Sequence, residues 1–575
     1  VASRTPRAAA ASGKPHWLIE MTLGGTVHRH SDEAVDVTTS AGVVVHYLPG
    51  LQDAPKLHYA IGAGSPHSIA ITLTGTGVDW AALAAEGQDL TTGLCTVRRW
   101  FEGQTLEAAR IITSTGVLDA PSYGTIEEPL IISVQNFPWV DGGLMPASAA
   151  VVSGTTWPVR ANQATDDTVV GKFYPIIIGR PGLYSPESAI SLFTGLAAAC
   201  PTSPAWPVEL GGVFANDGGV IIGGATDLAV SRWVVADGEV RATSCRMYDT
   251  SSTGSVTASG YYTVVLGADK LGRPVSYVQA DSVVSASGGL SSRWAMPHAG
   301  GTYSVAWTEG GGLYNADRTG LLNGAGEIIA YLFATYSTVP LNAGLMQSAR
   351  AQLDAYRIDC FIADQTKPYD WVMSHLAPLI PMGWVETGTG GYFQFFDFGA
   401  TVTQAIAHLD ADAEAGQVVR SSPITYTPRA DVCNAWTLQF AWDERQGSYQ
   451  RTMTLDNTAS PTADSGSSYL CAISQSRHGR SEKVLQTTVI YDEATARLIL
   501  SNLARRYAIQ RRQVSYACSQ GWESLMMGDI VTLTDSALYL SNVVAMVAAI
   551  EIADFGVEVT LTLLDNPDNA SKRVV

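Results

Sequence analysis

Apolar residues alternate with polar ones along most of this chain, in short runs broken by glycine and by Ser/Thr/Asp turns, so strands dominate the expected structure. The clearest run is Asn434-Ala-Trp-Thr-Leu-Gln-Phe-Ala-Trp442. Its alternate residues Trp436, Leu438, Phe440 and Trp442 would project from one face of a strand. Asp443 to Gly447 supplies a polar turn, and Tyr449 to Asp456 returns as a second strand with Tyr449, Arg451, Met453 and Leu455 on one side. A Ser/Asp/Gly-rich loop is expected from Ser460 to Ser468. The spacing then changes. Asp492 can N-cap a helix with Glu493 in its first turn and with Ala496, Leu500, Leu503 and Tyr507 recurring three and four residues apart. Arg505, Arg506, Arg511 and Arg512 crowd its C-terminal end, where positive charge suits the helix dipole. Strands are predicted again at 514–518, 527–534, 543–552 and 557–564, the last two joined at Asp554 to Gly556.

Upstream, helical spacing predicts helices at 326–337, 342–356 and 367–379, followed by a strand over Gly390 to Asp397. Nearer the N-terminus, Trp17 to Leu23, Ser68 to Leu73, Thr96 to Phe101 and Leu130 to Val134 read as strands of a barrel-like unit. The fold class expected is mainly β with a smaller α+β segment, in several domains. Five regions follow: a barrel-like domain over 16–140, a linker or arm rich in Pro, Ser, Thr and Ala over 141–170, a β-rich inserted domain over 171–320, a helical α+β domain over 321–400, and a C-terminal barrel with one helix over 401–570. No internal repeat of 20–50 residues stands out, which disfavours a solenoid or propeller.

The 575 residues suffice for several cores. Only 15% are charged and 46% are hydrophobic, with 55 glycines, a mix suited to tight turns and large buried interfaces. The net charge of −18, from 53 acidic against 35 basic residues, argues against a nucleic-acid-binding surface, which concentrates Lys and Arg. No stretch reaches the roughly 18 consecutive apolar residues of a membrane span. The basic start Val1 to Arg7 leads into a short alanine run and Gly13-Lys14-Pro15, so no signal peptide is expected and synthesis is expected in the cytoplasm. Cys95, Cys200, Cys245, Cys360, Cys433, Cys471 and Cys518 are scattered without a C-x-x-C, an odd set that suits buried reduced thiols.

Chemistry is sparse. There is no G-x-S-x-G, no H-E-x-x-H and no phosphate-binding glycine loop, so no catalytic, cofactor-binding or metal-binding residue is assigned and no cofactor is expected. Six of the ten histidines precede residue 70: His16, His28, His30, His46, His58 and His67. His28 and His30 would share one strand face and could hold a metal with a third histidine, but chance clustering at the surface outweighs this because no ligand spacing repeats nearby. Glu127-Glu128 and Asp166-Asp167 suggest acid/base pairs, yet strand neighbours point to opposite faces, so solvated turns or edges are favoured. Trp436, Trp442, Trp371 and Tyr356 fall on strand or helix faces, where packing is favoured over sugar stacking. Asp249 to Gly260 reads as an exposed loop or spacer.

The order of elements after Asn434 resembles the C-terminal part of phage tail hub proteins, both the central baseplate hubs of contractile tails and the host-specificity tail-tip proteins of non-contractile tails. The matching pieces are the hairpin, the helix Glu493 to Arg506 and the strand start Met527-Gly528-Asp529-Ile530-Val531, with the three predicted helices and the strand from Gly390 matching a hub's helical segment. The resemblance implies a non-enzymatic virion protein assembled in the host cytoplasm: a homotrimeric baseplate hub or tail-tip component that closes the tail tube, mounts the central spike or fibre, meets the distal tail protein, and lines part of the genome ejection channel. DNA would touch it only in passing, along a net negative wall, with the 505–512 arginines facing protein partners. The alternative is a β-rich adhesin that binds a receptor or glycan; a virion-borne cell-wall hydrolase is the weakest reading.

Overall fold

The computed structural model describes residues 13–153 apart from 24, 54, 61–67, 92, 112, 127, 137–141 and 152; residue 155; 171–179; the segments 203–204, 206–208, 232–240, 245–249, 262–269, 271–280 and 303–307; and 322–564 apart from 388–389, 414–416, 444–447, 458–464 and 554–555.

The N-terminal unit is built from β1 (Pro15–Leu23), β2 (Thr26–Ser31), β3 (Val35–Thr38), β4 (Val44–Pro49), β5 (Leu57–Ala60), β6 (Ser68–Leu73), β7 (Leu94–Phe101), β8 (Thr113–Ser122) and β9 (Leu130–Asn136), with the short helix α1 (Trp80–Ala85) between β6 and β7. Its sheet runs β3-β4-β2-β1-β7-β8-β9-β6. The chain just after β4 closes it: Gly50 N–H donates to Ser31 O (3.0 Å) on β2, while Gln52 N–H donates to Thr72 O (2.9 Å) and Thr74 N–H to Gly50 O (2.7 Å) on the β6 side. Residues 50–52 therefore bridge β2 to β6, and a barrel results with β3 and β4 as a flap. Alternation does the sorting: Trp17, Ile19, Met21 and Leu23 of β1 fill the interior, whereas Leu18 packs outside with Val37, Tyr47 and Trp100 under the flap.

β5 leaves this unit. It pairs instead with β29 (Leu540–Ala553), Leu57 opposite Ile552 and Ala60 opposite Ala549. The C-terminal sheet comprises β21 (Ala407–Asp410), β22 (Val418–Arg420), β23 (Thr425–Tyr426), β27 (Arg512–Cys518), β28 (Ile530–Asp535), β29 and β30 (Gly556–Leu563), in the order β21-β28-β29-β30-β27-β22. Entry into β28 depends on Gly528, whose φ is +86° and whose hypothetical Cβ would lie 2.8 Å from the Phe396 ring. Asp529 fixes the same turn by accepting from Met526 N–H at 2.8 Å. Interior residues of the N-terminal barrel and of the facing C-terminal sheet, from Trp17 and Val97 to Tyr516 and Leu561, form one hydrophobic cluster.

A second core lies beside the first. It joins α2 (Ala325–Tyr336), α3 (Ala343–Leu353), α4 (Pro368–Trp371, continuing as a π-helical turn over Val372–Leu376), the hairpin β19 (Met382–Thr387) and β20 (Gly390–Phe395), the strands β24 (Ala435–Asp443), β25 (Ser448–Leu455) and β26 (Glu482–Gln486), and the helices α5 (Ser465–His478) and α6 (Glu493–Tyr507). Asn342 caps α3 and Asp492 caps α6, each accepting from the backbone N–H three residues on. α6 turns Ala496, Ile499, Leu500 and Leu503 inward, and its Asn502 reaches the Tyr356 hydroxyl. The expected loop at 460–468 is shorter than the sequence implied, because α5 begins at Ser465. β26, which pairs parallel to β24, was not expected either.

Part of the expected arm is fastened to this core. Met145 is buried, and Met145 and Thr366 exchange backbone hydrogen bonds of 2.8 and 2.9 Å. β10 (Ile176–Ile178) pairs with β18 (Cys360–Ile362). Between them in sequence, β11 (Ser203–Pro204), β14 (Cys245–Asp249) and β17 (Tyr303–Trp307) form one small sheet, and β12 (Trp206–Val208), β13 (Arg232–Asp237), β15 (Tyr262–Ala268) and β16 (Pro274–Ala280) another. Within the latter, Arg273 Nε donates to Asp237 Oδ1 at 2.9 Å, and the same carboxylate ties the sheet to α2 by accepting from the Tyr336 hydroxyl at Oδ2 (3.2 Å).

Candidate assembly surfaces and the charged seam

Along β7 the inward positions are Cys95, Val97, Arg99 and Phe101, so one arginine occupies an apolar phase. Arg99 is 2% exposed, its guanidinium carbon lies 4.7 Å from the Trp17 ring, and its Nε is 3.7 Å from Oε1 of Glu523, itself 2% exposed. Glu523 follows the turn Gln520–Trp522 after β27, so this ion pair spans the seam between the N-terminal barrel and the C-terminal sheet. Neither Glu523 oxygen has a hydrogen-bond partner among the described residues. Burial pushes its carboxyl up to about 7, against the pull of Arg99. The sequence carried one signal for this pair, an arginine in phase with buried neighbours; nothing marked Glu523.

A cleft of about 400 Å³ opens where the end of α6 meets the outer face of β27, β29 and β30. Arg506 lies between Phe398 and Tyr507, 5.5 and 4.8 Å from their ring centroids. Arg511 is folded inward instead of facing a partner: it is 4% exposed and donates to Leu564 O at 2.9 Å and to Arg505 O. The expectation of a partner-facing arginine cluster therefore fails for Arg511, because two backbone carbonyls left over where α6 and β30 end capture its fork.

Apolar side chains remain exposed on the flap. Val44 and Leu48 of β4, 48% and 53% exposed, share its outer face, and β3 leaves one edge of the sheet without a strand partner among the described residues.

The other candidate residues are placed as follows. His28 and His30 lie on the interior side of β2, not at the surface, because Trp80 of α1 folds over them. His16 is buried, 3.2 Å from both Asp32 and Glu102; His46 meets Asp36 at 2.6 Å; His58 lies 3.8 Å from Glu551. Glu128 closes a turn by accepting from Thr125 N–H at 2.7 Å. His67, Glu127, Asp166, Asp167 and residues 250–260 lie outside the described residues. Trp371, Trp436 and Tyr356 are buried in the second core and Trp442 is half-buried. Cys95, Cys360, Cys433, Cys471 and Cys518 are buried free thiols, and burial raises each of them, Cys433 to about 11. Among the described residues no three His, Cys, Asp or Glu side chains converge on a metal position, and no helix is long and apolar enough to cross a membrane.

No protein-family model and no curated protein matches the chain. Among solved structures it is similar to a tail protein from Neisseria meningitidis MC58 (7% identity, 96% of this chain and 97% of that one, TM-score 0.32). It is also similar to the 43 kDa tail protein of prophage MuSo2 from Shewanella oneidensis (9%, 95% and 98%, TM-score 0.31) and to the prophage tail protein gp18 from Listeria monocytogenes EGD-e (7%, 93% and 95%, TM-score 0.30).

Proposed function

We propose that the chain is a structural protein of a phage tail, located in the virion at the tail tip or baseplate and without enzymatic activity. Within that class it acts as a hub: a homotrimeric ring whose barrels continue the tail tube, meet the distal tail protein, carry the central spike or fibre and line part of the path taken by DNA. The observation that carries the reading is the joining of the N-terminal barrel to the C-terminal sheet through β5 and a common core. A wall segment must keep its shape under load, and two units that share one interior, with a strand of the first built into the sheet of the second, cannot hinge as separate domains do. The exposed Val44 and Leu48 beside a free strand edge supply a surface for a neighbouring copy.

Light scattering on tail tips, or on protein purified at assembly-competent concentration, is expected to give a trimer, and Val44→Glu/Leu48→Glu a folded monomer. A wild-type chain that stays monomeric at every concentration overturns the hub. The wall facing the channel is expected to carry more Asp and Glu than Lys and Arg, so that phosphates slide past. An electron microscopy reconstruction of the ring with a basic lumen, or tight salt-sensitive binding of the ring to duplex DNA, contradicts this.

A further inference from the structure

The hairpin between β28 and β29 ends in an exposed tyrosine. The chain turns through Ser536–Leu538, and Tyr539 follows with a left-handed backbone (φ +56°) and 95% exposure. A bulky side chain in that region is a strained exception, and such strain persists only where the surroundings hold it. Here they do. Tyr539 N–H donates to Ser536 O at 3.1 Å, and the Asp412 carboxylate accepts from Ser536 N–H at 2.9 Å and from its hydroxyl at 2.8 Å. Leu538 packs on the first core, Leu540 is buried, and Asn542 N–H donates to Thr534 Oγ1 at 3.2 Å. The tip is braced on both sides, so a partner can bury the ring with little further loss of conformational freedom. Tyrosines are enriched among the few residues that dominate interface energies.

The cleft at the end of α6 has matching chemistry. Its walls carry Phe398, Tyr507 and Ile509, and its charges are Arg506, Arg511 and Asp431, two cations against one anion. Rings and guanidinium groups of this kind receive a further aromatic ring, and Asp431 supplies an acceptor for a phenol hydroxyl. A volume of about 400 Å³ accommodates an aromatic side chain with part of its turn. The tip brings the opposite charge. Asp410 stands opposite Thr534, Asp412 binds Ser536, and the neighbouring Arg420 is engaged by Asp535 at 3.5 Å.

Tyr539 does not reach the cleft of its own chain. Met546, which lines it, lies seven residues further along, nearly all of them extended in β29, and that is roughly 20 Å, beyond the span of one side chain. The match of ring, volume and charge therefore points to the cleft of a second copy. Because tip and cleft are different surfaces, the contact is head to tail, the type that closes a ring. We propose that Tyr539 of each copy seats in the α6 cleft of the next; this rests on the homotrimeric ring proposed above.

The test places the photo-crosslinking residue p-benzoylphenylalanine at position 539 of the full chain and mixes isotope-labelled with unlabelled copies at assembly-competent concentration. Cross-links are expected between copies, from 539 to peptides containing residues 427–432 or 506–513. Tyr539→Gly suits the left-handed backbone, so it should keep or raise the Tm while weakening association about tenfold or more. Arg506→Ala should weaken association as well, and Tyr469→Ala, at an exposed tyrosine of α5, should leave it unchanged. The proposal is overturned if the ring forms while position 539 cross-links elsewhere, or if Tyr539→Gly associates as the wild type does; the ring itself survives both results. A wild type that stays monomeric at every concentration overturns the ring, and this contact with it. Should Arg506→Ala fail to fold, the cross-link map and Tyr539→Gly still decide.

Discussion

Arg99→Met is expected to destabilise the full chain by about 3–5 kcal/mol near pH 8, because it strands the buried Glu523 carboxylate without its counter-charge. The size of the effect depends on pH. Glu523 titrates near 4.5 when unfolded and at about 7 in the native seam, so between these values the folded state holds a proton that the unfolded chain has released. Its contribution to stability is therefore complete below about 4.5 and lost as pH rises through about 7. Arg99→Met should cost less at pH 5, where Glu523 is largely protonated, than at pH 8. Glu523→Gln should remove on the order of 2–3 kcal/mol of pH dependence between those two conditions. Urea unfolding at pH 5 and pH 8 measures both effects. Arg99→Met/Glu523→Met should recover most of the loss; a double variant equal to the sum of its singles, with no difference between the two pH values, would show that the two charges do not interact.

Leu503→Asp is expected to cost on the order of 4 kcal/mol, enough to abolish soluble expression or sharply lower the Tm. Leu503 is 5% exposed on the face of α6 that enters the second core. The paired control is Arg497→Ala on the opposite face. Arg497 is about half exposed and meets Glu493 one turn earlier at 3.7 Å, so its loss should change stability by no more than about 0.5 kcal/mol. Equal melting temperatures for wild type and Leu503→Asp would mean that α6 does not bury this face.

The same helix marks what a sequence can reveal. Asp492 as N-cap, Leu500 and Leu503 on one stripe and arginines at the end are all local signals, and each matches the observed α6. The hairpin β24–β25 is equally local, since Trp436, Leu438 and Phe440 alternate and all three are buried. α5 carries no such stripe. Its Ser465-Gly-Ser-Ser start resembles a loop, and the contacts that hold its end come from afar: the Asn434 amide donates to Ser474 Oγ and Gly479 O, both at 2.9 Å, and Gln475 donates to Asn434 O at 2.8 Å. β26 is largely exposed, so it shows no alternation and owes its position to pairing with β24. The seam and the histidine pair were hidden for the same reason. Glu523 is buried by a strand more than 400 residues earlier, and His28 and His30 are enclosed by Trp80, which local spacing cannot place.

β5 also sets the order in which the molecule can be completed. Ala60 leaves the ribosome about 490 residues before its partner Ala549, an interval of roughly 25–100 s at ordinary elongation rates. Throughout that time β5 is a strand without a sheet, a state that invites pairing between nascent chains. Lys56 puts positive charge beside this strand, and Glu551 waits on the destination strand, 3.6 Å from Lys56 and 3.8 Å from His58 in the finished fold. Like charges hold two waiting copies of β5 apart, and the single carboxylate on β29 rewards the correct register, with Glu551 opposite His58. Pairing of β5 thus cannot precede the synthesis of β29, and a chain interrupted before residue 549 keeps its earliest edge open to whatever strand arrives first.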